Sequence, residues 1–235
     1  MISVIEFDFV AKTERKLESG VLTDGIDASK YYWIDILDNG LENAASFLHI
    51  LEIPEKAVDE IVGPERDRRH DIYPKGLHFS LTEMLFGPNL SSRSHVNLFV
   101  SEHLFLTYHR APTAFVDSIR RNYSDDFHTF AKSPGFLLYE VAENLVESCR
   151  VSASYFENEA QNLHAELLND PDDGIFQRTG RLMCLIRQFR IVVQSSREIL
   201  DTLSSRKYLF VSETTQPFLQ GKALCMERIN NDMSS

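Results

Sequence analysis

The sequence predicts an α/β fold: a mixed β-sheet head flanked by helices over residues 1–132, a long antiparallel helical hairpin over 133–209, and the start of a further helix over 210–235. Three observations carry this. Apolar residues alternate with a period of two in several stretches before Pro112. From Pro112 onward the period changes to 3.6. Two later stretches keep that period for about 35 residues each, or about 50 Å at 1.5 Å per residue, and the turn-rich run Asn169-Asp170-Pro171-Asp172-Asp173-Gly174 separates them.

Ile2 to Val10 and Tyr31 to Leu37 have strand composition, and a helix is expected from Leu41 to Leu51 with Asp38 or Asn39 at its cap. Pro54 suits the first turn of a second helix, Glu55 to Val62, which Gly63-Pro64 ends. Glu65 to His70 is a charged connector, and Gly76 to Phe86 is strand-like although polar residues interrupt it. Val96, Leu98 and Val100 alternate, as do Leu104, Leu106 and Tyr108 beyond Ser101-Glu102, which predicts a β-hairpin with one face buried. A helix follows from Pro112 to Phe130, interrupted near Ser124. Ser133-Pro134-Gly135 then opens the first long helix, with Leu138, Val141, Leu145, Ser148, Ser152, Phe156, Glu159, Leu163 and Leu167 on one seam. Leu182, Ile186, Phe189, Val193, Ser196, Leu200 and Leu203 form the seam of the second, and a short turn makes the two antiparallel. Cys149 and Cys184, beside these seams, are expected to pack rather than react. Tyr208 to Val211 is strand-like, and Ser212-Glu213-Thr214-Thr215 is a candidate cap for the last helix. That helix stops within a patterned element, which predicts a truncated chain.

With 43% hydrophobic and 25% charged residues, sixteen Phe and eight Tyr, the composition is that of a folded globular chain. The net charge of −11 disfavours nucleic acid and anionic lipid as partners and suits cations. No signal peptide is evident, no apolar run spans a bilayer, and three dispersed cysteines fit a reducing compartment.

Catalytic motifs are absent: no glycine-rich phosphate loop, no HExxH, no GxSxG and no Cys/His set with zinc spacing. No enzyme is expected. His103 and His109 share a strand but lie about 20 Å apart at 3.3 Å per residue, too far to share an ion. Arg68-Arg69-His70-Asp71 is expected to be a solvated turn. Two acidic groups remain as candidate metal ligands. Asp170, Asp172 and Asp173, with Glu166, crowd the hairpin turn, though without the alternating spacing of a calcium loop. Asp59 and Glu60 close a short helix at its negative end, where a cation would compensate them.

The order of these pieces resembles the amino-terminal domain of CorA-type magnesium and divalent-cation channels. Tyr32-Trp33-Ile34-Asp35 is similar to that family's Trp-containing strand, and Ile53-Pro54 with Val58-Asp59-Glu60-Ile61-Val62 to its segment P-x-x-x-E-D-I-L. Val96 to His109 resembles its hairpin, Pro134-Gly135-Phe136-Leu137-Leu138-Tyr139 its long-helix start, and Ser195 to Leu203 the end of its second long helix. The resemblance implies a cytosolic regulatory and metal-sensing domain on the cytoplasmic face of a membrane, in a homopentamer whose last helix is a stalk leading to the pore. It implies Mg²⁺ as the regulatory ion, bound between neighbouring subunits. Its sensor carboxylate falls on Glu60, with Asp59 adjacent, while the partner carboxylate falls near Gln220, an amide. The pore helices and the Gly-Met-Asn selectivity tripeptide are not among these residues, so contact with the membrane is expected only through them. Without the tripeptide, Mg²⁺ is not separated from Co²⁺, Ni²⁺ or the Zn²⁺ of ZntB-type transporters. The alternative from another class is a stand-alone scaffold that binds a protein through its helical hairpin.

Overall fold

The computed structural model describes residues 1–18, 26–27, 29–38, 40, 44–65, 70–87, 90–129, 131–169, 173–208, 211, 213 and 215–234. Along the chain run β1 (Ile2–Asp8), β2 (Thr13–Leu17), β3 (Tyr31–Leu37), α1 (Ala44–Ile50), α2 (Glu55–Val62), β4 (His70–Tyr73), β5 (Gly76–Gly87), β6 (Leu90–Ser101), β7 (Leu104–His109), α3 (Ala114–Thr129), α4 (Gly135–Asn169), α5 (Asp173–Ser205) and α6 (Gln216–Asp232). The strands form one sheet in the order β2-β1-β3-β7-β6-β5-β4. Only β3 and β7 pair in parallel; the other neighbours are antiparallel.

Side-chain alternation along each strand sorts the interior into two cores. Phe7, Trp33, Phe79, Leu98 and Phe105 point to the face covered by α3 to α6. Val4, Ile34, Ile36, Leu106 and Tyr108 point to the other, covered by α1 and α2. The β6–β7 hairpin is therefore buried on both faces, not one, and all six residues of β7 are buried. Helices on both sides turn an apparent alternation into a near-continuous apolar strand. The polar interruptions in β5 are buried too. His78 Nε2 faces Asn97 Oδ1 at 3.0 Å and Thr82 Oγ1 faces His95 Nδ1 at 3.1 Å, each across to β6.

Helix α3 runs unbroken through Ser124, contrary to the expected interruption. The Ser124 hydroxyl donates to Glu14 Oε1 of β2 at 2.7 Å, which occupies it outside the helix ladder. Lys12, in the β1–β2 turn with φ 55°, donates from Nζ to the carbonyls of Phe127 and Ala131. A cation thus meets the negative end of α3. Arg68 and Arg69 lie outside the described residues, whereas His70 and Asp71 belong to β4 rather than to a turn.

Helices α4 and α5, of 35 and 33 residues, pack along their seams. Phe156 of α4 stacks at 4.7 Å from Phe86 of β5 and 5.4 Å from Phe189 of α5. Past Leu163 the α4 seam leaves the core, and Leu167 is exposed. Cys149 packs as expected, with burial pushing its thiol up to about 12, but Cys184 is exposed. Arg197 pairs with Glu227 at 3.4 Å and Arg190 donates to Asn230 at 3.3 Å, which sets α6 antiparallel to α5. Of the strand expected from Tyr208 to Val211, Tyr208 and Val211 form a bridge, and Leu209 and Phe210 lie outside the described residues. Thr215 occupies the N-cap of α6 with helical angles and makes no side-chain capping bond. Its hydroxyl sits instead where a Cβ on Gly135 would lie, 2.3 Å away, so the first residue of α4 must be glycine for α6 to begin there. Ser212 and Thr214, the other expected cap residues, lie outside the described residues.

Candidate functional site

Helix α2 places the acidic pair. Pro54 precedes it with φ −55°, the value its ring requires. Ala57, Val58 and Ile61 face the core beneath, which leaves Asp59 exposed and Glu60 half-buried. The helix ends at Gly63, where a Cβ would stand 2.5 Å from the Asp59 carbonyl oxygen. The chain can therefore turn away directly beneath Asp59 only through glycine.

The last carbonyls of α2 are served by two residues that the sequence pattern did not single out. Asn97 Nδ2 of β6 donates to the Ile61 carbonyl at 3.2 Å, and its Oδ1 is held by His78. Arg110, just past β7, donates from Nη2 to the Val62 carbonyl at 2.6 Å while its guanidinium lies over the Tyr108 ring. The negative helix end that seemed to call for a bound cation thus already faces a guanidinium from its own chain. Neither contact shows in local periodicity, because both partners are more than thirty residues away. Asn97→Ala removes a buried donor from the Ile61 carbonyl and is expected to lower stability by about 1–3 kcal/mol. Urea unfolding checks this, and an unchanged midpoint would mean that α2 is not anchored through Asn97.

The remaining candidates are dispersed. Gln220 is exposed on α6, whose buried residues belong to the core on one sheet face, whereas α2 packs on the other. Within one chain, Gln220 and Glu60 do not share a site. Asp170 and Asp172 lie outside the described residues, and Asp173 is placed as the first residue of α5. Glu166 pairs across the hairpin with Arg178. Among the described residues, no three His, Cys, Asp or Glu side chains are grouped so as to hold a metal ion. The carboxylate oxygens of Asp59 and Glu60 suit a hard cation in kind. In number they do not complete one, because neighbouring side chains on a helix diverge by about 100°. A hard cation held there would need further oxygens from water or a second chain.

Residues 28–234 match the family model described as CorA-like Mg2+ transporter protein. No curated protein matches the sequence significantly. Among solved structures, the complete CorA magnesium transporter of Methanocaldococcus jannaschii superposes with a TM-score of 0.83 at 15% identity, covering 100% of this chain and 72% of that one. The soluble domain of CorA from the same organism gives 0.79 at 15% identity, covering 100% and 91%. The ZntB cytoplasmic domain of Vibrio parahaemolyticus gives 0.79 at 13% identity, covering 99% and 91%. At these identities the likenesses establish the fold, a seven-stranded sheet with flanking helices and a long hairpin, for magnesium and ZntB relatives alike. No described helix is long and apolar enough to cross a membrane. Because the family model spans nearly the whole chain and the fold agrees along its full length, this chain belongs to the CorA-like Mg2+ transporter family.

Proposed function

We propose that the chain acts as the cytosolic regulatory domain of a divalent-cation transporter and senses Mg²⁺ through Glu60 and Asp59, at an interface between neighbouring copies. The observation that carries this reading is the placement of both carboxylates at the solvent-facing end of a helix docked rigidly by Asn97 and Arg110. A hydrated Mg²⁺ shared by two chains stabilises only the arrangement in which those carboxylates face each other. By linkage, the ion and the assembly then strengthen each other. With Gln220 in place of a second acid, the site holds less charge, which weakens Mg²⁺ and reduces its preference over Co²⁺, Ni²⁺ or Zn²⁺.

Mg²⁺ at ten times its Kd contributes about 1.4 kcal/mol, which raises the melting temperature by roughly 3–6 °C in a domain of this size. Glu60→Ala is expected to abolish most of that shift, and sedimentation should show Mg²⁺-dependent self-association lost in the same variant. An identical melting curve and sedimentation profile with and without Mg²⁺, at concentrations where copies associate, would overturn the assignment.

A second reading, a contact surface on the helical hairpin for another protein, is favoured by one feature. Leu168, Phe176 and Met183 near its far end are 72%, 68% and 66% exposed.

A further inference from the structure

At one end of the sheet, the turn after α1, the β4–β5 turn and the β6–β7 turn frame a cleft of about 410 Å³. Neither Asp59 nor Glu60 lines it. Leu51, Phe99 and Leu104, all buried, form its apolar floor, and Ile50, 41% exposed, extends that floor outward. The floor is fixed by close packing. A Cβ on Gly76 would stand 2.5 Å from the Phe99 ring, so β5 can start against that ring only with glycine there.

The mouth of the cleft carries charge of both signs. Lys75 Nζ stands 3.4 Å from Glu52 Oε2, with the two side chains 77% and 82% exposed. Such a pair contributes little to the fold and opens at little cost. Glu102 and His103, 4.0 Å apart on the β6–β7 turn, also line the mouth. Glu52 is held at φ 56° just after α1, in the left-handed region where glycine is at ease and a Cβ is crowded. The chain thus carries a carboxylate at this mouth where its backbone would favour none. A simple cation would take Glu52 and leave Lys75 unpaired, and a simple anion would do the reverse. A zwitterion satisfies both, its ammonium donating to Glu52 and its carboxylate accepting from Lys75. An apolar group on the same carbon then reaches the floor. We propose that this cleft binds an apolar α-amino acid, with Glu52 and Lys75 holding its charged groups and Leu51, Phe99 and Leu104 receiving its side chain. The size agrees, since small-ligand sites run from roughly 300 to 1,000 Å³ and combine apolar walls with a few convergent polar groups.

Titrating the full chain with L-phenylalanine, followed by backbone amide NMR, tests this. Saturable shifts are expected at Leu51, Glu52, Lys75 and Ser101 to Leu104, with a Kd in the millimolar range, while amides of α5 stay in place. Phenethylamine and 3-phenylpropionate each lack one of the two charges and should bind about three- to fivefold more weakly, the worth of one exposed ion pair. L-serine, which keeps both charges but has no apolar group, should give no saturable shift. Glu52→Gln and Lys75→Met should each weaken L-phenylalanine by a similar factor. Glu52→Gly separates binding from folding: it relieves the left-handed backbone, so binding should weaken while the melting temperature does not fall. The proposal is overturned if L-phenylalanine gives no saturable shift at these amides up to its solubility limit, or if the amine or the acid alone binds as tightly. It is equally overturned if Glu52→Gly binds like the wild type, or melts below it, because the carboxylate would then be kept for the fold and not for a ligand.

Discussion

Asp35→Ala is expected to lower the unfolding free energy by about 3–5 kcal/mol, the range for removing one member of a buried ion pair. Asp35 is 3% exposed in β3, opposite Thr107 in the parallel register with β7. Its carboxylate accepts from the Thr107 hydroxyl, which in turn receives Trp33 Nε1–H at 3.2 Å. His109 Nε2 lies 3.2 Å from one carboxylate oxygen, and the Arg120 guanidinium of α3 pairs with the other. His109 Nδ1 faces the Ala111 carbonyl at 2.7 Å. With an acceptor at each ring nitrogen, the imidazole carries both protons and is a cation. Truncating Asp35 thus leaves the enclosed His109 cation without its anion, and leaves Arg120, whose side chain is 27% exposed, with only the outer carboxylate of Asp117 at 3.5 Å. Asp35→Asn should be nearly as damaging, because the amide keeps the shape but not the charge.

The same pair fixes a pH window. Burial alone would raise the Asp35 carboxyl, but the hydrogen bond and charge of His109, then Thr107 and Arg120, lower it on balance. Its contribution is present above the ordinary value of 3.8 and is lost as pH falls through the depressed one. Burial opposes protonation of His109, but the Asp35 hydrogen bond and charge outweigh it and raise the imidazole. That contribution is complete below the ordinary value of 6.5 and fades as pH rises through the elevated one. Urea unfolding at several pH values should show wild-type stability declining on both sides of this window, with the alkaline decline missing in Asp35→Asn. A loss below about 1 kcal/mol with the alkaline limb intact would mean that the pair contributes no more than an exposed one.

The bounds of β3 and α2 were legible because each sits between plain stop signals and carries its apolar residues in register. Strands β2 and β4 were not. Thr-Glu-Arg-Lys-Leu is an edge strand with exposed charges, so its identity comes from pairing with β1 rather than from its own pattern. The order of the long helices followed from their seams, and the family resemblance from the order of elements. The polar residues that fix geometry escaped, for one common reason. Asp35, Asn97, Arg110 and Glu83 act on partners distant in sequence, and no local period encodes such a partner. Asp59 and Glu60 were visible as an acidic pair at a helix end. What could not be seen was that Arg110 already stands at that end, which is why the dipole argument alone overstated the need for an ion.

Glu83→Ala is expected to destabilise the chain by about 2–4 kcal/mol, since two N–H groups at the start of α3, one of them buried, lose their acceptor and a cavity opens beside them. Thr113 is the residue type and position that a capped helix start leads one to expect. It is 1% exposed, yet its hydroxyl finds no partner among the described residues. The cap comes from the sheet: Glu83 of β5, 2% exposed, accepts Ala114 N–H at 2.7 Å and Phe115 N–H at 3.0 Å. With Lys12 at the far end, α3 carries an anion at its positive pole and a cation at its negative one, both from strand-bearing parts of the chain. This explains how a helix with so polar a composition stays continuous and in place between the sheet and the long hairpin. Burial raises the Glu83 carboxyl above its ordinary value even though both N–H groups pull it down, so ionising it at neutral pH is a burden the fold carries. That burden appears as pH rises through the elevated value and is absent below the ordinary one. Glu83→Gln avoids it and keeps one acceptor oxygen for the helix. The glutamine variant should therefore recover most of the stability lost in Glu83→Ala at pH 7, with a flatter pH profile than the wild type between about pH 4.5 and neutrality. If alanine and glutamine proved equally destabilising in urea at pH 7, the charge rather than the acceptor would hold the end of α3, and the hydrogen-bond account of this cap would be wrong.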